Sequence, residues 1–188
     1  MSAPLYVALV HHPIRDRSGG VITTAVTNVD VHDIARSART FGLAGYFVVS
    51  PITAQRAIVD RILEHWHEGE GRTRIPARGE ALARTRAVSL LPDAIAAIAD
   101  AHGSRPRVIA TSAQASRPPI RFSELRAQLG ERTDPHLLVL GTGHGLANSI
   151  VESADELLEP IFGTDGYNHL SVRAAAAILF DRLRFDRI

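Results

Sequence analysis

Short apolar runs alternate along most of the chain with longer segments in which apolar residues recur every three or four positions. The runs at 5–10, 45–49, 87–90, 107–110, 136–140 and 157–159 read as strands, each with Gly, Pro or Ser nearby. Helical periodicity covers 31–41, 53–68, 92–102, 123–129 and 170–184. Strands and helices in alternation predict an α/β fold: a mostly parallel sheet flanked by helices. Asp30 stands where an N-cap would open the first helix, Ser123 begins another, and Gly130 stands where a glycine would end it. The last helix has the clearest stripe, Val172, Ala175, Ala176, Leu179 and Leu183, and its four successive alanines allow a neighbouring element or subunit to approach closely. Residues 69–80 and 112–121, rich in Gly, Pro and Arg, read as surface connections.

Four segments carry candidate chemistry. At Leu138-Val139-Leu140-Gly141-Thr142-Gly143-His144-Gly145-Leu146 a buried strand runs into three glycines at alternate positions, where main-chain groups can approach a ligand closely. A tight turn accounts for the same glycines. No Gly-Lys-Ser/Thr follows, so the segment is no P-loop, and its glycine spacing is a poor dinucleotide fingerprint. A second strand ends in Thr111-Ser112, hydroxyls that can bond a ligand or cap a turn. A third segment runs from Glu159-Pro160-Ile161 to Asn168-His169-Leu170-Ser171, where Asn168 or Ser171 can simply cap the final helix. In the fourth, Thr27 to Gly42, Arg36 and Arg39 share a helix face and Asp33 can pair with Arg36; such an arginine can also hold a phosphate or polarise a hydroxyl.

The 188 residues, 45% apolar and 22% charged, suffice for one core, and a single domain over 1–188 is expected. No apolar run reaches the roughly 20 residues of a bilayer span, and the opening MSAPLYVALVHHP has no basic leader region, so neither membrane insertion nor secretion is expected. The absence of cysteine excludes disulfides, thiolate metal sites and a cysteine nucleophile; the absence of lysine excludes Schiff-base catalysis and a phosphate-binding lysine. No metal is expected, because His11 with His12 and His65 with His67 diverge on their elements, and His144 and His169 have no carboxylate at a ligating spacing. Net charge is only +1, so a polyanion would have to be met by local clusters. Two exist. Residues 72–86 carry Arg72, Arg74, Arg78, Arg84 and Arg86 against Glu80 alone, and residues 105–121 carry Arg105, Arg107, Arg117 and Arg121 with no acid. Phosphate contact and plain solvation both explain them.

Taken together and in order, Thr111-Ser112, LGTGHGL, and EPI followed by NHLSVRAAAAI resemble the three cofactor loops of the SPOUT superfamily of RNA methyltransferases. With VALVHHP and TAVTNVDVHDIARSART added, the chain is most similar to a small bacterial group described as tRNA (guanine-N1)-methyltransferase-like, the likeness running from Tyr6 to Leu183. This resemblance implies a C-terminal trefoil knot, S-adenosylmethionine as cofactor, an RNA substrate (tRNA or rRNA), a homodimer and a cytoplasmic setting. It places cofactor contacts at Thr111, Ser112, Gly141, Thr142, Gly143, Gly145, Leu146, Ile161, Asn168, Leu170 and Ser171. The 28–42 segment resembles the first motif of the ribose 2′-O branch, in which an arginine six residues before a glycine takes part in catalysis; Arg36 holds that place before Gly42. Asp30 and His169 stand where that branch usually has asparagine, so a base nitrogen and a ribose 2′-oxygen both stay open as acceptors. Arg36 is expected to orient the acceptor or its phosphate, with Asp30 or Asp33 second and His169 as base, while Arg39, Arg72, Arg74 and Arg78 would meet RNA phosphates. The competing expectations are a knotted S-adenosylmethionine- or RNA-binding module without turnover, and a nucleotide-binding protein that uses GTGHG for phosphate. Methyl transfer separates the first from the enzyme, and competition by ATP or GTP would mark the second.

Overall fold

The structure, a computed structural model, describes residues 2–165 and 167–185. The elements in chain order are β1 (Leu5–Val10), β2 (Ile14–Arg15), β3 (Val21–Ile22), α1 (Asn28–Thr40), β4 (Gly45–Val49), α2 (Thr53–His67), α3 (Gly71–Arg74), α4 (Pro76–Leu82), β5 (Thr85–Val88), α5 (Leu91–His102), β6 (Arg107–Ala110), α6 (Phe122–Glu131), β7 (His136–Gly141), α7 (Asn148–Ser153), β8 (Glu156–Leu157) and α8 (Val172–Arg184). Six strands form one sheet in the order β5-β4-β1-β7-β6-β8, and every adjacent pair is parallel. The expected α/β architecture is therefore present. β1 and β7 lie side by side at the centre, with Leu5 opposite His136 and Val10 opposite Gly141.

Alternation along β1 splits the core. Leu5, Val7 and Leu9 face one layer with Val31 and Ile34 of α1 and Leu179 and Phe180 of α8, whereas Ala8 and Val10 face the other with Ala94 and Ile98 of α5 and Ile150 of α7. Both faces of a parallel sheet are covered by its crossover helices, which is why the strands are apolar at nearly every position.

Several boundaries differ from the sequence pattern for local reasons. Helix α1 starts three residues before its first core residue, and its cap is Thr27 rather than Asp30. The Thr27 hydroxyl accepts from the Asp30 amide (3.2 Å) and donates to the Asp30 carboxylate (2.6 Å), so Asp30 sits inside the first turn. Helix α6 opens at Phe122 and passes through Gly130 to Glu131, so Gly130 is a helical residue and not a stop. The 69–80 stretch is not a bare connection: it contains α3 and most of α4, with Pro76 at the start of α4 where its missing N–H costs nothing. Trp66 fixes this corner, since a Cβ on Gly71 would lie 2.7 Å from its ring. Strand β5 begins two residues early, β8 is two residues long, and the short elements β2, β3 and α7 carry too few residues to show a period. Ser171, by contrast, caps α8 through a bond from the Ala174 amide (3.3 Å). Among the described residues no helix is long and apolar enough to cross a membrane.

Leu138 is fully buried at the middle of β7. Leu138→Ala is expected to lower the unfolding free energy by about 2–5 kcal/mol in urea titration, whereas Val29→Ala, at an exposed site, should change it by no more than about 0.5 kcal/mol.

Candidate active site

Because the sheet is parallel, the chain leaves every strand at the same rim, and the three motif loops leave three adjacent strands there. Thr111-Ser112 follows β6, Gly141 to Leu146 ends β7, and the long segment from Leu158 follows β8. The first and third loops are joined by the Asn168 amide, which donates to the Ala113 carbonyl (2.8 Å). The third remains sheet-like at its start: Leu158 N–H donates to Ala110 O (2.9 Å) and Glu159 N–H to Ile120 O (2.9 Å). Thr111 turns its hydroxyl back onto Val139 O of β7 (2.9 Å), which ties the first loop to the strand that carries the second.

The glycine loop is tightly constrained. A Cβ on Gly141 would lie 2.7 Å from the Leu146 nitrogen, and Gly143 and Gly145 have φ of +55° and +101°. A side chain at any of these positions would open the turn. The loop rests on residues 11–24, the stretch containing the β2–β3 hairpin: Arg15 N–H donates to Gly145 O (2.9 Å), Ala147 N–H to Pro13 O (3.1 Å), and Ile14 bridges Leu146. Thr142 bonds the hydroxyl of Thr24 (2.5 Å) and the carbonyl of Val10 (3.3 Å). Leu146 is buried, Ile161 packs against the core, and Leu170, Phe162 and Tyr167 are exposed around the rim. Main-chain groups, hydroxyls and apolar side chains suit a nucleoside with an aliphatic tail. This donor set fits S-adenosylmethionine.

Beside the third loop, α1 and the start of α8 frame an open groove of about 470 Å³, lined in part by Arg36, Ser37, Phe41, Ser171 and Arg173. Arg36 is exposed and lies 3.8 Å from Asp33. Asp30, only 7% exposed, accepts from Arg173 (2.9 Å), which also lies 3.8 Å from the far oxygen of Asp33. Asp30, Asp33 and Arg36 are thus brought together around Arg173, a residue outside the four segments singled out by their sequence. Its only signal was its place, two residues after the cap that ends the third motif. His169 lies outside this cluster at the rim, its ring edge-on to Tyr167 at 5.4 Å. The arginines expected to meet RNA divide into two kinds. Arg39 is ion-paired with Glu80 and Arg78 stacks over Trp66 at 5.0 Å, whereas Arg72 and Arg74 are exposed on α3. Among the described residues no group of three or more His, Asp or Glu side chains could hold a metal.

His11, directly after β1, is fully buried, bonds Thr24 through Nδ1 (3.1 Å), and has no partner for Nε2. Burial drives its pKa down to about 4, against a smaller upward pull from Asp30.

Residues 4–185 match the family described as SAM-dependent RNA methyltransferase. The chain belongs to that family. Among its relatives are proteins named tRNA (guanine-N(1)-)-methyltransferase from Oleidesulfovibrio alaskensis, 46% identical over 98% of this chain, and from Nitratidesulfovibrio vulgaris, 47% identical over 97%. The chain spans less than half the length of both, 43% and 42%. A protein of Aquifex aeolicus with no assigned function is 39% identical over 95% of this chain and is itself 87% covered. Two solved structures share the fold: a methylase family protein from Haemophilus influenzae Rd KW20 (TM-score 0.63, 18% identity, 98% of this chain and 66% of that one) and the AdoMet-bound rRNA methyltransferase from Sinorhizobium meliloti (0.58, 17%, 98% and 57%).

The depressed pKa of His11 has a definite sign. Above pH 6.5 the imidazole is neutral in both folded and unfolded chains, and below about 4 it is charged in both; between these values only the unfolded chain takes the proton. Stability should therefore fall as the pH drops from 6.5 to 4, His11 contributing about 3 kcal/mol of the loss. His11→Asn, which cannot titrate there, should remove that share of the slope in urea unfolding measured across the range.

Proposed function

We propose that this chain is an S-adenosylmethionine-dependent methyltransferase acting on tRNA or rRNA in the cytoplasm, built from a single SPOUT-type domain over 1–188 and working as a homodimer. The convergence of three motif loops at the ends of three neighbouring parallel strands carries the reading. The family match supports it, and so do relatives named for tRNA. Their guanine-N1 activity belongs to proteins more than twice as long as the stretch they share with this chain, so the acceptor here, a base nitrogen or a ribose 2′-oxygen, is assigned by experiment. A trefoil knot is part of the proposal, formed where the segment after β8 packs against the loop after β6.

When bound, the cofactor would supply an electrophilic methyl group for in-line displacement by the acceptor's lone pair. The protein's task is to hold the two partners in line and remove the acceptor proton. Thr111, Ser112, the glycine loop with Thr142 and Leu146, and Ile161, Asn168, Leu170 and Ser171 surround the cofactor position. Arg36 reaches from α1 into the groove and orients the acceptor or its phosphate. Asp33 holds Arg36 loosely, and Arg173 neutralises the shielded Asp30, so that the arginine is not locked in a buried pair. His169 takes the acceptor proton and passes it to solvent. Of Arg39, Arg72, Arg74 and Arg78, the two on α3, Arg72 and Arg74, are open to the RNA backbone, while Arg39 is held by Glu80 and Arg78 lies over Trp66.

The test is incubation of the protein with methyl-labelled S-adenosylmethionine and unmodified tRNA or rRNA, followed by nucleoside mass spectrometry. Label in 1-methylguanosine or in a 2′-O-methylnucleoside names the acceptor, and no label with the cofactor bound would leave a binding module. Arg36→Ala should cut turnover about 100-fold or more while cofactor affinity stays within about threefold. The double variant Arg72→Ala/Arg74→Ala should weaken RNA binding across sequences and lower the slope of log affinity against log salt by about 1–2.

A further inference from the structure

The stretch 11–24 lies outside the three motif loops, yet it holds a buried histidine and a threonine hydroxyl aimed at the glycine loop. The bonds there form a chain: His11 Nδ1 to Thr24 Oγ1 (3.1 Å), Thr24 Oγ1 to Thr142 Oγ1 (2.5 Å), and Thr142 Oγ1 to Val10 O (3.3 Å). Its direction follows from its end. Val10 O can only accept, so Thr142 donates to it; the Thr142 oxygen is then free to accept from Thr24, and the Thr24 oxygen to accept from His11. The other acceptor open to Thr24, His11 O, is at 3.5 Å, the limit of a bond. Nδ1 of the imidazole therefore carries a proton, and burial, which lowers the pKa of the ring, favours the neutral form.

The main chain holds only part of the loop against this stretch. Arg15 N–H to Gly145 O, Ala147 N–H to Pro13 O and the Ile14–Leu146 bridge fix residues 145–147. At Thr142 the bond to 11–24 is the Thr24 hydroxyl; a Cβ on Gly143 would stand 3.4 Å from the Thr24 methyl, 3.5 Å from an Ile14 methyl and 4.0 Å from the Arg15 carbonyl, and the Arg15 guanidinium reaches His144 O only at 3.5 Å. We propose that His11 and Thr24 are positioning residues that set the Thr142–Gly143 limb of the glycine loop for S-adenosylmethionine. This rests on the reading of that loop as a cofactor loop.

Isosteric pairs provide the test. Thr24→Val removes the hydroxyl and keeps the shape; Thr24→Ser restores the hydroxyl. His11→Asn places an amide N–H near the Nδ1 position, and His11→Leu does not. Calorimetry should show Thr24→Val and His11→Leu binding S-adenosylmethionine about tenfold more weakly than wild type, with Thr24→Ser and His11→Asn within about threefold. In the protein without cofactor, amide exchange at 142–144 should quicken about tenfold in Thr24→Val while that at 146–147 stays unchanged. If Thr24→Val does not fold, amide exchange at 142–144 in His11→Leu against His11→Asn reads the same chain from its other end. Wild-type affinity and exchange in Thr24→Val, with the wild-type protein binding the cofactor, would overturn the proposal alone. No binding by wild type would remove the cofactor reading and the proposal with it.

Discussion

The pairing of β1 with β7 brings together segments from opposite ends of the chain, and the position of every candidate group follows from it. Leu5 meets His136 and Val10 meets Gly141 in parallel register, so the first strand ends level with the glycine loop. Parallel strands cannot be joined by a tight turn, and each crossover must run over a face of the sheet. Consequently α1 and α8 come to lie on the same layer, the groove forms between them, and β6 and β8 add outward from β7 with their loops at its side. The carboxyl rim is where open α/β sheets of many kinds present ligands, because loops there are free of the sheet's hydrogen-bonding demands.

Charge in the groove is arranged differently from charge on the outer surface. Asp30 is nearly shielded from water, and the Thr27 hydroxyl and the Arg173 guanidinium compensate its carboxylate. Such a carboxylate belongs to the framework: it anchors the first turn of α1 to the start of α8, and Asp33, one turn on, is shared loosely between two arginines. Outside, Arg39 and Arg78 are occupied by Glu80 and Trp66, which leaves α3 as the more open basic face.

Much of this was legible in the chain. Fully apolar runs gave the strands of a two-faced parallel sheet, while Asn168 and Ser171 both stood as caps of the last helix until the bond from the Ala174 amide decided for Ser171. The glycine loop was legible as three glycines directly after a buried strand, a pattern that a tight turn and a ligand loop share. What escaped was what lies below the period of a helix or strand, or depends on partners far away in sequence. Elements α3 and α7 span four and six residues, too few for a pattern. Asp30 looked like a cap because acids favour both the cap and the first turn, and only the bonds to Thr27 separate these places. Arg173, His11 and Thr24 gain their meaning from contacts 143, 13 and 118 residues apart in sequence, which no local pattern contains.

The two borders of the sheet also bear on how the molecule behaves among its own copies. A parallel sheet exposes an unpaired row of main-chain donors and acceptors at each end, a template for strand addition and aggregation. One border, β8, is only two residues long and is already covered by Ile120, whose N–H donates to Leu157 O (2.8 Å) and whose carbonyl accepts from Glu159 N–H (2.9 Å). The other, β5, spans four residues and carries Arg86, with Arg84 just before it, both exposed. Brevity and the cover of Ile120 on one side and repelling positive charge on the other work against the recruitment of a stray strand at either border.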